Sequence, residues 1–256
     1  MLNVITHGEP SEQAPLVIAH GLFGSARNWG VIARRLSDRR QVIALDMRNH
    51  GASPWHDDHS YAAMAADMAE VIALRCADQG GRADVLGHSM GGKAAMMLAL
   101  TRPELLRRLI VADIAPVAYG HSQIHNIEAM RGVDLSRVER RTDAAAQLAE
   151  AGIGRQLQSF FTQSLDLRER RWRFNLDALA AAMPQILGFP ALDAHWDGPA
   201  LFIAGEHSDY ILPEHRPLIR RLFPGARIVR LHEAGHWLHA DQPRAFEAVI
   251  RSFLDA

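Results

Sequence analysis

Short, unbroken apolar runs punctuate the chain. Leu16 to Ala19, Val42 to Leu45, Leu109 to Ala112 and Leu201 to Ala204 are the clearest. Ala83 to Leu86, interrupted by Asp84, and Ile228 to Leu231, interrupted by Arg230, are weaker. Runs that do not alternate with polar residues suit parallel strands covered on both faces. Helical periodicity fills the intervals near 28–37, 61–79, 90–101, 214–222 and 242–254. Strand followed by helix, repeated in this way, predicts an α/β fold. Its sheet is mostly parallel and doubly wound, with right-handed crossovers.

One stretch breaks the rhythm. From about Val117 to His195 no convincing strand pattern occurs. The segment reads as short helices, among them Thr142 to Ala151, Arg155 to Gln163 and Leu176 to Met183. It lies between two strong strands, so it is expected to be an insertion at one edge of the sheet. Helices inserted at the carboxyl ends of strands commonly roof a ligand crevice. The expected organisation is a core of residues 1–116 and 196–256 with a helical cap of residues 117–195. No internal repeat, low-complexity tract or long linker interrupts it.

Composition narrows the function classes. The chain has 256 residues, 48% of them apolar, enough for one sizeable core. A formal net charge of −1 gives no global positive field for nucleic acid or an anionic membrane, so neither is an expected partner. The basic clusters at Arg34-Arg35, Arg39-Arg40, Arg107-Arg108 and Arg168 to Arg173 are expected on solvated faces. Cys76 is the only cysteine, so no internal disulfide can form, and it falls on an apolar stripe. No signal peptide or membrane span is read, and the expected location is the cytoplasm.

Gly87-His88-Ser89-Met90-Gly91 matches G-x-S-x-G. It follows a predicted strand and opens a helix rich in Ala, Met and Leu, the context a nucleophile elbow requires. Such a turn leaves no room for flanking side chains. It lifts the serine oxygen above the sheet beside the free N–H groups of a helix start. Ser89 is therefore the candidate nucleophile and the Met90 N–H a candidate oxyanion donor. A rival reading exists, because Gly87 to Lys93 also matches G-x-x-x-x-G-K of a phosphate-binding loop. That loop needs Ser or Thr next, to bind magnesium; Ala94 stands there, with no clear acidic partner for a metal.

A serine hydroxyl needs a base, usually histidine. Ala234-Gly235-His236-Trp237 follows the last predicted strand, where such a base falls in chain order, and His236 is the candidate. His232 to His236 also spells H-E-x-x-H, a zinc signature with His239 as an imaginable third ligand. That motif works on a helix, whereas this one starts at a strand end and contains Gly235. The following helix is expected to begin at Asp241-Gln242-Pro243, with Asp241 as N-cap. No metal is therefore assigned. For the acid that orients the imidazole, Asp113 and Asp209 both lie at predicted strand ends. The later loop is the commoner location, but its usual Gly-x-x-Asp spacing puts Ser208 in the acid's slot and Asp209 one residue late. Spacing alone leaves the two near even.

Several segments together resemble a known family: His20 to Ser25, Asp46 to Ser53, Gly87 to Lys93, Asp113 to Val117, Trp172 to Leu176 and Ala234 to Ala240. They closely resemble the YbfF-type bacterial esterases and their mitochondrial α/β-hydrolase relatives, nearly end to end. The resemblance implies an α/β-hydrolase fold, hydrolysis of acyl esters as small-molecule substrates, and no cofactor. It implies Asp113 as the acid, with Asp209 as the alternative that this chain also carries. It implies the Leu22 N–H as the second oxyanion donor. Arg48, Asn49 and His50 are expected to brace the neighbouring loop, and Trp172, Phe174, Asn175 and Trp237 to line the acyl pocket. Lys93 and His88 flank the elbow without an assigned task.

The expected function is serine esterase chemistry through a Ser-His-Asp triad and an acyl-enzyme. Thioesterase, lactonase or carbon–carbon bond hydrolase activity could use the same triad. A non-catalytic ligand receptor on this fold is the reading from another class. Haloalkane dehalogenases and epoxide hydrolases need a carboxylate nucleophile, which Ser89 is not. Either a monomer or a homodimer is compatible with the sequence.

Overall fold

A computed structural model describes residues 1–256. Seven strands form one sheet: β1 (Val4–His7), β2 (Leu16–Ala19), β3 (Val42–Leu45), β4 (Ala83–His88), β5 (Leu106–Ala112), and two more after the insertion. Their order is β1-β3-β2-β4-β5-β8-β9, with β8 at Ala200–Gly205 and β9 at Ala226–Leu231. All neighbours are parallel except β1, which runs antiparallel to β3 at one edge. The sequence pattern missed β1: its Val-Ile-Thr-His is half-covered and pairs on one side only.

Alternate residues of the central strands face opposite layers, as the period of two demands. Val17, Ala19, Ile43 and Leu45 join the apolar layer beneath α2 (Tyr61–Arg75) and α3 (Met90–Thr101), reached after α1 (Gly30–Leu36). Leu16, Ile18, Val42 and Ala44 face the other layer, with Ile32 and Leu36 of α1. Cys76 is buried in the first layer, and burial pushes its thiol up to about 11.

Between β5 and β8 lie α4 (Ile124–Arg131), α5 (Arg141–Glu150), α6 (Arg155–Thr162), α7 (Leu176–Ala181) and α8 (Met183–Leu187). A two-residue hairpin, β6 (Leu165–Asp166) with β7 (Arg171–Trp172), also occurs there, where no strand was expected. It is too short to leave an alternating pattern. Ile127, Phe161, Trp172 and Leu179 of this insertion share one continuous apolar cluster with α2 and α3. The chain closes with α9 (Arg216–Leu222), α10 (Leu238–Asp241) and α11 (Pro243–Leu254). Phe246 and Ile250 of α11 complete the layer over α1. No helix is long and apolar enough to cross a membrane.

Two local expectations need correction. Asp241 ends α10 instead of capping α11, and its Oδ2 accepts from the Gly235 N–H at 2.9 Å. Arg40, expected on a solvated face, is buried: its guanidinium donates to buried Asp84 at 3.0 Å and to Asp255 at 3.3 Å. That pairing offsets the cost of burying Asp84 inside the sheet.

The tightest packing is at the turn from β4 to α3. A Cβ on Gly87 would sit 2.2 Å from the Gly91 carbonyl oxygen, and one on Gly91 would sit 2.5 Å from the carbonyl oxygens of Ala19 and His20. Both obstacles are backbone and cannot rotate away. Gly87→Ala is therefore expected to cost about 1–3 kcal/mol, the usual range for overpacking. The check is the urea midpoint at unchanged slope; an unchanged midpoint would mean that α3 slides off the sheet without penalty.

Candidate active site

Ser89 stands where β4 ends and α3 begins, with φ 52° and ψ −120°. This left-handed conformation is costly for a residue with a Cβ. It is held by the glycine packing on one side and by the Ser89 N–H donating to the Ala112 carbonyl at 3.0 Å on the other. The turn leaves Ser89 part-exposed while every other residue of the elbow is buried.

His236 arrives from the loop after β9. That loop is pinned to the one after β8: the His207 N–H donates to Ala234 O at 2.9 Å, and the Glu233 N–H to the Glu206 carboxylate at 2.8 Å. Gly205 lies flat against Gly235, where a Cβ would fall 2.4 Å from the Gly235 oxygen. The imidazole Nε2 is 3.1 Å from Ser89 Oγ, and Nδ1 is 2.8 Å from Asp113 Oδ2. An ionised carboxylate only accepts, so the ring proton sits on Nδ1 and Nε2 is free to accept from the serine.

Asp113 follows β5, is fully buried and also has a left-handed φ of 52°. Its Oδ1 accepts from the Gly205 N–H at 2.9 Å, and its Oδ2 accepts from the Ser208 hydroxyl as well as from His236. Three donors thus compensate the burial of one carboxylate. Asp209, the alternative, is exposed and makes no hydrogen bond. The sequence had flagged Ser208 only as the occupant of the usual acid position. There its hydroxyl donates to Asp113, which follows the neighbouring strand β5.

Leu22 and Met90 flank Ser89 at one cavity. Met90 is the first residue of α3, so its N–H has no partner within the helix. The Leu22 N–H donates to no protein group. The carbonyl of the same peptide, on Gly21, accepts from His20 Nδ1–H at 2.8 Å and from the Gly24 N–H at 2.9 Å. Because a trans peptide points its C=O and N–H in opposite directions, those bonds aim the Leu22 N–H. His50 Nε2 accepts from the next amide, Phe23 N–H, at 3.2 Å, while His20 Nε2 accepts from Met47 N–H at 2.9 Å. The two loops are cross-braced by one histidine from each. Arg48 supports the brace from below, through Asp67 at 2.6 Å and the Asp58 carbonyl at 2.8 Å. Burial lowers the pKa of both His20 and His50, in keeping with neutral rings that each accept an N–H.

The cavity measures about 290 Å³ and is mostly apolar. Leu157, Phe160 and Phe161 of α6 line it together with Trp237, as do the buried side chains of Tyr61, Lys93 and Ile186. Trp237 is thus where it was expected. Trp172, Phe174 and Asn175 are not. The Trp172 indole donates to Met130 O at 2.8 Å inside the core, and Phe174 packs edge-on against Phe23 and His50. Asn175 caps α7 and donates to the Asn49 side chain at 3.1 Å. Phe174 and Asn175 thus pack against the loops after β2 and β3, and Trp172 lies in the core, all three outside the cavity lining.

Two further side chains fix His236. Tyr210 stacks on its ring at 4.0 Å, and His88 Nε2–H donates to its backbone carbonyl at 2.8 Å. Nothing in the sequence pattern singles out Tyr210. The H-E-x-x-H residues diverge: His232 pairs with Glu206 at the surface, and His236 turns inward to Asp113.

The profile of the Alpha/beta hydrolase family matches residues 16–249. Esterase YbfF of Escherichia coli (strain K12) is 39% identical over 248 residues, covering 94% of this chain and 93% of that protein. The sn-1-specific diacylglycerol lipase ABHD11 of Danio rerio is 39% identical over 253 residues, covering 95% and 79%. A solved marine microorganism esterase superposes with a TM-score of 0.91 at 38% identity, covering 98% of both chains. A profile that spans nearly the whole sheet, and relatives this similar over nearly the full length, mean that the chain belongs to the α/β-hydrolase family.

Proposed function

We propose that this α/β-hydrolase cleaves carboxylic esters through Ser89, His236 and Asp113, with residues 117–195 as a cap over the acyl site. The observation that carries the reading is the continuous hydrogen-bonded line from Ser89 Oγ through His236 to Asp113, ending at an apolar cavity. The names of its relatives, esterase and lipase, support esters as the substrate class.

His236 Nε2 takes the Ser89 proton as Oγ attacks the ester carbonyl. The carbonyl oxygen becomes an oxyanion facing the N–H groups of Leu22 and Met90. Each such donor contributes about 3–4 kcal/mol in comparable enzymes. Asp113 stabilises the imidazolium and holds its orientation. His236 then gives the proton to the leaving alcohol, and water repeats the sequence on the acyl-enzyme to release the acid. The apolar wall of α6 accommodates the acyl chain. The proposed location is the cytoplasm, which a lone cysteine with no partner for a disulfide suits.

A fluorophosphonate probe is expected to label the wild type at one serine, and Ser89→Ala to abolish labelling; labelling that survives would refute the assignment. Asp113→Asn is expected to lower kcat by about 10⁴-fold, as a misheld tautomer does. Asp209→Asn should leave turnover unchanged, and the reverse pattern in p-nitrophenyl ester assays would exchange the two roles. Ser208→Ala removes one hydrogen bond to a buried charge, worth about 1.5–3 kcal/mol, and should slow kcat by roughly tenfold or more with little change in KM.

A further inference from the structure

Lys93 is one turn along α3 from Ser89, and its N–H donates to the Ser89 carbonyl at 3.1 Å. Its side chain is almost completely buried, at 1% exposure, yet no carboxylate lies within ion-pair distance. The ammonium is met by backbone carbonyls at the end of α8: Gly188 at 2.6 Å, Leu187 at 2.8 Å and Ile186 at 3.4 Å. Two of these carbonyls have second donors, the Tyr61 hydroxyl on Ile186 at 2.6 Å and the Tyr119 N–H on Leu187 at 3.1 Å. The Tyr119 ring covers the ammonium at 4.8 Å. An unpaired buried cation is expensive, and a neutral side chain of similar length would fill the same space at lower cost. What the charge adds is three strong donors for the carbonyls that end a helix.

That helix end also lines the cavity, since Lys93, Tyr61, Ile186 and Leu187 are all in its walls. Ser89 and this part of the wall are therefore connected through a single side chain. We propose that Lys93 is a positioning residue for acyl-chain selection: its ammonium ties the end of α8 to the nucleophile's helix and so holds Ile186 and Leu187 as part of the wall of the acyl pocket. This rests on the ester-hydrolase reading of the site and adds to it the element that limits chain length.

The tie depends on the proton. Burial lowers Lys93 to about 7, so the ammonium is present below that pH and lost as pH rises through it. The neutral amine keeps two N–H donors for the carbonyls and turns a lone pair toward them, which weakens the hold. Of the elements packed on the ammonium, α2 presents Tyr61 and the loop after β5 presents Tyr119. Burial raises both phenols, so they stay neutral over this range. The end of α8 presents carbonyls only. His121, on the same loop as Tyr119, is engaged with the Tyr210 hydroxyl at 2.7 Å.

The test is the ratio of kcat/KM for p-nitrophenyl octanoate over acetate. A ratio cancels any pH effect on the chemical step that both esters share. Lys93→Met keeps the stem and removes the donors; the ratio is expected to rise by about tenfold through KM, the scale of one or two methylenes in an apolar pocket. In the wild type the ratio should climb between about pH 6 and about pH 8.5, the window around the lysine's lowered pKa, and in Lys93→Met it should be flat. Should Lys93→Met fail to fold, Tyr61→Phe, which removes only the hydroxyl on Ile186 O, should shift the ratio in the same direction. An unchanged ratio in the variant that folds would overturn the proposal, as would an equal loss on both esters or a pH-dependence of the ratio that survives Lys93→Met. Absent ester turnover in the wild type would instead strike the underlying reading.

Discussion

The close approach of the first turn of α3 to the ends of β2 and β4 is the constraint on which the site rests. Gly87 and Gly91 allow backbone to lie on backbone where any Cβ would collide. Ser89 is thereby forced to φ 52°, a conformation it would not keep in a flexible loop. Everything nearby is placed by that decision. The Met90 N–H has no partner within the helix because Met90 begins it. Lys93 enters the core beneath the inserted helices because it lies one turn further on. The strain is offset by the surrounding sheet, since β4 is paired on both sides by β2 and β5 and cannot relax.

Asp113 poses the complementary problem, a negative charge with no exposure. Its three donors come from the end of β8, from the following loop and from the loop after β9. The carboxylate therefore fastens the end of β5 to two segments far from it in sequence, residues 205–208 and the loop that carries His236. This explains why spacing could not choose between Asp113 and Asp209. The choice depends on which loop turns inward, and β5 and β8 are neighbours whose ends lie side by side. The Ser208 hydroxyl, from the loop after β8, donates to the Asp113 carboxylate at the end of β5.

What the sequence revealed follows the same division between local and distant causes. The buried strands were legible, and Ser89 and His236 stood out as candidates, because an apolar run, a glycine-flanked serine and a histidine after the last strand are local signals. Edge strand β1 was not, since a half-covered strand of four residues has no distinctive pattern. Trp172, Phe174 and Asn175 were sensibly associated with the insertion but assigned to the wrong side of it. Long-range pairing decides it: Trp172 in the hairpin faces Met130, while Phe174 is bridged to His50 in the loop after β3. Lys93 looked like half of a phosphate loop. Its real partners are carbonyls more than ninety residues away, which no local pattern announces.

The histidines around the site show how one imidazole can be set apart from its neighbours. His20, His50, His59 and His88 are all buried, and burial lowers the pKa of each, His59 to about 4. None has a carboxylate for its ring N–H. His20 and His50 spend one nitrogen on a carbonyl and accept a backbone N–H with the other, an arrangement that only a neutral ring permits. A second proton would turn each acceptor into a donor facing a donor. These rings therefore act as rigid neutral struts between the loops after β2 and β3. His236 differs in two respects: Nδ1 faces a carboxylate, and Nε2 faces a hydroxyl at the cavity. A proton received at Nε2 would break no supporting bond and would form an ion pair with Asp113. The same residue type thus meets two environments: a carbonyl and a backbone N–H at His20 and His50, a carboxylate and a hydroxyl at His236.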